Sequence, residues 1–307
     1  MDRFGIDSSS RRHVGRQPER RRILQLVLGI GLYIVCQLAM TAAAIGVFTA
    51  TSTATSANVG EILTGDGPAA PVGFLVGAVV AIIGFIVIVR RVSRRPAVEL
   101  RRDGALSGIL WGLLIGGGIV AGAMTILGIL GVYRVESVQL GAGILTGLML
   151  GVGPAVMEEV FFRGFLLRLI DGWLGSWAAL AIVSVVFALV HSFSSPAGPL
   201  AAVFIFCSAS LLLNMAYFLT RTLWFPIALH FAFNATQSAI FGLNVSGNET
   251  GGSLIEGQLQ GSDLLTGAAM GGEGSLIVIA FALAAGVVLT IAAIRRGNML
   301  PRQHAQS

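Results

Sequence analysis

The amino-acid sequence predicts an all-α fold: a polytopic membrane helix bundle of about eight transmembrane helices, with both termini cytoplasmic. Three observations carry that prediction. Hydrophobic residues make up 55% of the 307-residue chain and charged residues only 11%, the balance of a membrane protein. Apolar stretches near 23–50, 73–90, 106–131, 139–170, 175–193, 199–219, 223–243 and 275–294 come close to or exceed the roughly 20 residues that a membrane-spanning helix needs. The basic residues are all arginine, and they gather on alternate sides of those stretches.

Taken in order, the elements begin with a basic tail, 1–22, which reads as a disordered arm near anionic headgroups. The first span contains a small-residue run, Thr41 to Ala44, but its apolar stretch is much longer than the ~7–15 residues of a signal-peptide core. It is therefore read as a retained helix. If the tail is inside, alternation puts 91–105, 171–174, 220–222 and the tail 296–307 inside as well. Counting arginines at the helix ends, 19 of the 20 then lie inside and only Arg134 lies outside, as the positive-inside rule requires. The transmembrane domain runs over 23–295. Its longest external loop, 244–273, is rich in Gly, Ser, Asn and acids and reads as flexible. The sequons at Asn244 and Asn248 matter only in a glycosylating secretory pathway.

The net charge of +5 is a topology signal and not a nucleic-acid signature, because no basic patch is interleaved with aromatic residues. Cys36 and Cys207 lie in apolar stretches without metal spacing and read as core residues. His13 and His304 lie in the tails and read as solvated. No internal repeat suggests an inverted transporter duplication. A lysine-free chain fits a GC-rich bacterial genome, so the expected location is a multi-pass cell-membrane protein of the bacterial inner membrane.

Charge inside the fourth span is the strongest functional signal. One ionised group at mid-bilayer costs about 2.5–3.5 kcal/mol on insertion scales, and this span carries Glu158, Glu159 and Arg163. Gly143, Gly147, Gly151 and Ala155 form a ridge of small residues that permits close helix packing. Steps of four along it reach Glu159 and then Arg163, and Glu158 falls about 20° from Gly151 on an ideal helix. Both carboxylates therefore face the protein interior. Glu159 and Arg163 form an i,i+4 pair with the acid first, the better order. That pairing leaves Glu158 for chemistry. Pro154 removes a helical hydrogen bond just upstream.

Two histidines lie deep in other spans. His191 ends Phe187-Ala188-Leu189-Val190-His191, and His230 shares a helix face with Asn234. At 1.5 Å per residue, Glu158 and His191 sit about 21 and 24 Å from the inside surface, and His230 and Asn234 about 12 and 18 Å. With tilt, the four meet near mid-membrane. A carboxylate and a histidine can hold and deprotonate a water. A second histidine and an asparagine amide can donate to a developing oxyanion. No serine sits in a nucleophile elbow, so hydrolysis by activated water is the expected chemistry.

These three segments resemble the EExxxR, FxxxH and HxxxN motifs of the CAAX prenyl endopeptidase and bacteriocin-processing (Abi/CPBP) family of intramembrane proteases, over about residues 139–243. The resemblance implies an intramembrane endopeptidase in which Glu158 and His191 activate water and His230 and Asn234 stabilise the oxyanion. Glu159 and Arg163 would support them. The implied substrate is a membrane protein or a lipidated peptide lying against the bilayer, with no nucleic-acid partner. Two other readings of the same cavity are a non-catalytic immunity or scaffold protein and a proton-coupled transporter. The cofactor is left as none or Zn2+. HExxH is absent, yet Glu158, His191 and His230 have the donor types of a catalytic zinc site of two His and one Glu.

Overall fold

The computed structural model describes residues 19–51, 69–141, 143–195, 197–246 and 252–301. The tails 1–18 and 302–307 and the sequon at Asn248 lie outside the described residues. Among the described residues, ten α-helices of seven residues or more build the bundle. The first three are α1 (Glu19–Thr51), α2 (Ala70–Val92) and α3 (Ala105–Ile129). Helix α4 (Gly143–Glu158) continues through a π-helical stretch (Glu159–Leu167) into α5 (Arg168–Leu174). Helix α6 (Ser176–Ser194) follows. Helix α7 (Pro199–Ile205) runs through π-helical Phe206–Ser210 into α8 (Leu211–Thr220). Helix α9 (Trp224–Ala235) ends in π-helical Thr236–Ile240, and α10 is Leu276–Arg295.

Seven helical segments among the described residues are long and apolar enough to cross a membrane. The eighth expected span, 223–243, is also a helix, but it has only 12 α-helical and five π-helical residues. At about 25 Å it falls short of a typical ~30 Å hydrocarbon core. It can be short because it lies inside the bundle: Phe225, Leu229, His230, Phe233, Asn234, Gln237 and Ser238 are all buried.

Close backbone approach fixes that position. A Cβ on Gly116 of α3 would run into the carbonyl oxygen of Leu229, and one on Gly147 of α4 would lie 2.8 Å from the amide nitrogen of Ala239. The small-residue ridge of the fourth span thus packs against α9 and its π-helical extension, with Ala155 fully buried.

The arginine-bearing turns share one end of the bundle. Arg22 donates to the carbonyl of Gly172 at 3.3 Å, Leu223 N–H donates to Glu99 O at 2.8 Å, and Arg221 donates to the carbonyl of Asn298. The first described turn of α1 and the last turn of α10 therefore lie at the same end.

The all-α bundle is as expected, and two loop readings are corrected. The loop read at 171–174 is helical, because Asp171 is buried and ion-paired with Arg221 at 2.5 Å; the chain breaks at Gly175, with φ +85°. The bundle also carries a small antiparallel sheet, β1 (Tyr133–Val138) with β2 (Ile255–Leu259). Strand β2 belongs to the loop read as flexible, 244–273. Its described part is ordered by that pairing and by the hydrogen bond from Leu254 N–H to Ala239 O at 2.8 Å.

Candidate active site

The adjacent glutamates sit at the junction where α4 becomes π-helical. A π-helical turn is wider than an α-turn and is frequent at functional sites. Glu158 closes the α-helical part with its side chain 15% exposed, whereas Glu159 opens the π-helical part fully buried.

Each carboxylate faces a different histidine. Oε2 of Glu158 lies 3.9 Å from Nε2 of His191 on α6. Oε1 of Glu159 lies 2.9 Å from Nδ1 of His230 on α9. Phe187 stands between the two pairs. Its ring centroid is 4.6 Å from that of His191 and 6.5 Å from that of His230. The aromatic residue of the FxxxH segment thus spaces both histidines.

The protonation pattern follows from the partners. Nδ1 of His191 lies 2.8 Å from the carbonyl oxygen of Phe187. A carbonyl only accepts, so Nδ1 carries the proton and, in the neutral ring, Nε2 is the lone-pair nitrogen facing Glu158. Glu158 Oε2 is buried with no hydrogen-bond partner among the described residues. A gap of 3.9 Å is too long for a direct hydrogen bond and is spanned well by one water. Two acceptors at that spacing take both protons of a single water and leave an oxygen lone pair outward.

Arg163 is held from three sides. It donates from one guanidinium nitrogen to Glu159 Oε1 at 2.8 Å and from Nε to Asn214 Oδ1 at 2.9 Å. Its guanidinium carbon lies 4.5 Å from the centre of the Phe187 ring, a cation–π distance. Asn214 in turn donates to Ser184 Oγ at 2.9 Å. The charge that looked costly in the sequence is compensated by a network that joins α4, α6, α8 and α9.

His191, His230 and Asn234 line one narrow cavity together with Glu273 and Ser246. It leaves about 10 Å³ for the centre of a water molecule, on the order of one water. Asn234 is 4% exposed and sits one turn after His230. Three of the four expected catalytic residues thus share this cavity, and Glu158, which does not line it, joins them through His191, 3.9 Å away.

Glu273 was not among the residues expected from sequence. It is 2% exposed, accepts from Ser246 Oγ at 3.2 Å and has Gln237 Nε2 at 3.4 Å. It lies between Gly272 and Gly274 in a loop whose composition reads as solvated, so no sequence signal separated it from its neighbours. Asn214 was signalled only as one amide in an apolar helix.

Among the described residues no three His, Cys, Asp or Glu side chains are grouped as metal ligands. Both histidines use Nδ1 for a protein partner, His230 with Glu159 and His191 with the Phe187 carbonyl, which leaves Nε2 as the ring nitrogen available to water or a ligand.

Residues 139–236 match the family model described as Type II CAAX prenyl endopeptidase Rce1-like. All six motif residues, Glu158 to Asn234, fall within that match. No curated protein and no solved structure matches the chain.

Proposed function

We propose, for a chain whose residues 139–236 make it a member of the CAAX prenyl endopeptidase (CPBP) family, an intramembrane endopeptidase that cleaves by water activation without a resident metal. Its membrane helices and this family segment together make it an intramembrane protease in general terms. The finer reading names the residues and the substrate class.

One observation carries it: the buried, unpartnered Oε2 of Glu158 faces Nε2 of His191 across 3.9 Å. In this reading the two groups hold a water and one of them takes its proton as the oxygen attacks the scissile carbonyl. His230 and Asn234 receive the developing oxyanion. For Nε2 of His230 to donate, the ring must carry both protons; Glu159 accepts the one on Nδ1 at 2.9 Å and Arg163 holds Glu159 in place. After attack, the proton taken from water passes to the leaving amine. Glu159 and Arg163 are thus positioning residues that act through His230.

The substrate class is a peptide bond beside a lipid anchor or a transmembrane segment. The reading is supported by the cavity of His191, His230 and Asn234, which lies among helices apolar enough to span a membrane and leaves room for about one water. The expected setting is the bacterial inner membrane.

The test is reconstitution of the purified protein in liposomes with membrane-anchored peptides, comparing the wild type with Glu158→Gln, His191→Ala and His230→Ala. Cleavage by the wild type and its loss in all three variants supports the reading. Undiminished cleavage by the three variants sinks the assignment of these residues.

A further inference from the structure

A second cavity lies apart from the catalytic one. It lies at the arginine-rich end of the bundle, between α3, the α8–α9 turn and the last turn of α10, and offers about 200 Å³ for water centres against about 10 Å³ at the active site. None of the six motif residues lines it.

Its two halves differ in chemistry. One wall is apolar, formed by Trp111 and Ile115 of α3 with buried Leu289 of α10. Trp111 is 55% exposed, and neighbouring Leu110 and Leu114 face outward too. An exposed tryptophan on a spanning helix marks the level of the membrane interface. The opposite rim carries Arg101 and Arg296, with Thr220 and Thr222 beside them.

Arg101 is positioned by its backbone more than by its charge. Its carbonyl accepts from Trp224 Nε1 at 2.8 Å, while its guanidinium makes one long contact, 3.4 Å, to the carbonyl of Thr220. Its Nε is buried without a hydrogen-bond partner among the described residues. A guanidinium so placed has donors left for a planar or tetrahedral oxyanion. Asp103 also lines the cavity, exposed on the turn before α3. The lining charge is therefore one net positive, with Arg102 and Arg295 exposed nearby on the same end.

We propose that this cavity binds one anionic phospholipid from the adjacent leaflet, its phosphate on Arg101 and Arg296 and an acyl chain along Trp111, Ile115 and Leu289. The apolar wall and the basic rim argue for a lipid together. A soluble phosphate would leave the wall unused, and a neutral lipid would leave two arginines facing a charge-balanced headgroup. Basic pockets between transmembrane helices bind anionic headgroups for the same reason. The cavity also touches Phe225, five residues before His230 on α9. A bound lipid would thus brace the helix that carries half of the site.

The experiment uses the full-length protein in mild detergent. Bound lipid is counted by native mass spectrometry, and the thermal midpoint is followed during titration with phosphatidylglycerol, phosphatidylcholine or glycerol phosphate. The wild type is expected to retain one phosphatidylglycerol per chain with a raised midpoint, to bind phosphatidylcholine at least tenfold more weakly, and not to respond to glycerol phosphate. Arg101→Gln/Arg296→Gln is expected to weaken retention at least tenfold. Ser107→Phe, which fills the cavity but keeps both arginines, is expected to do the same. Arg102→Gln/Arg295→Gln removes equal charge outside the cavity and is expected to leave retention unchanged. The proposal is overturned if phosphatidylcholine binds as well, if glycerol phosphate gives the same shift, or if the two arginine pairs have equal effects. Because the readout is binding, its outcome is independent of whether peptide cleavage is found.

Discussion

Oε1 of Glu159 is shared by two partners, His230 Nδ1 at 2.9 Å and an Arg163 guanidinium nitrogen at 2.8 Å. That single oxygen ties the fourth span to α9 at His230, the proposed oxyanion donor. It also divides the work between two adjacent residues, since Glu158 faces His191 instead.

Glu159→Gln should therefore affect both stability and turnover. The substitution leaves Arg163 buried without its carboxylate, and breaking a buried ion pair costs about 3–5 kcal/mol. The expected result is a lower thermal midpoint in detergent and slower cleavage in the surviving folded fraction. Glu158→Gln, by contrast, should leave the midpoint close to that of the wild type. Thermal unfolding of both variants, followed by tryptophan fluorescence, checks the contrast.

The seat of α9 predicts a second effect. Gly116 touches the backbone of α9 at Leu229, beside His230, where a Cβ has no room. Gly116→Val should push α9 away from α3 and destabilise the bundle by about 1–3 kcal/mol or more, as overpacking does. Gly118, where a Cβ meets nothing within 4 Å, is the control: Gly118→Val should be nearly neutral. Midpoints of the two variants under identical detergent conditions decide the matter.

A third prediction concerns pH. Glu99 lies in the turn between α2 and α3 and is 2% exposed. Burial alone would raise its carboxyl, but Arg95, at 2.6 Å, and Arg168, at 3.4 Å, outweigh that and hold it below the usual carboxylate range. A depressed folded-state value means the stabilisation is fully present above the ordinary carboxylate range and is lost as pH falls through the depressed value. Stability should thus fall on acidification, and Glu99→Gln should flatten that acid limb while lowering stability at neutral pH. Thermal midpoints measured from neutral to acidic pH for both proteins test the sign.

Metal removal supplies a fourth. Since no three ligating side chains are grouped among the described residues, exhaustive treatment with a chelator should leave cleavage unchanged. Loss of cleavage that is restored by Zn2+ would count against the metal-free reading.

The candidate site residues were legible in the sequence for an energetic reason. Charge and imidazole in apolar helices are rare and costly, so Glu158, Glu159, Arg163, His191 and His230 stood out, and helix arithmetic put them at comparable depth. The small-residue ridge also announced which face packs inward. What was not legible depends on contacts between distant parts of the chain. Glu273 reaches the cavity because its loop folds back onto Ser246 and Gln237, which glycine-rich composition conceals. Asn214 gains meaning only from Arg163, 51 residues away. The strands β1 and β2 are short and lie 117 or more residues apart in register, from Val138 with Ile255 to Tyr133 with Leu259. The π-helical junction has no periodicity of its own by which to be recognised.

The central claim is that Glu158 and His191 activate the attacking water, and it is tested most directly at Glu158. The measurement is the rate of cleavage of a membrane-anchored peptide by wild type and Glu158→Gln protein in the same liposomes, each shown to be folded by its thermal midpoint. The account predicts a fall of about 10²–10⁴-fold with the midpoint retained, the size of a lost general base. A folded Glu158→Gln protein that cleaves at the wild-type rate would contradict it.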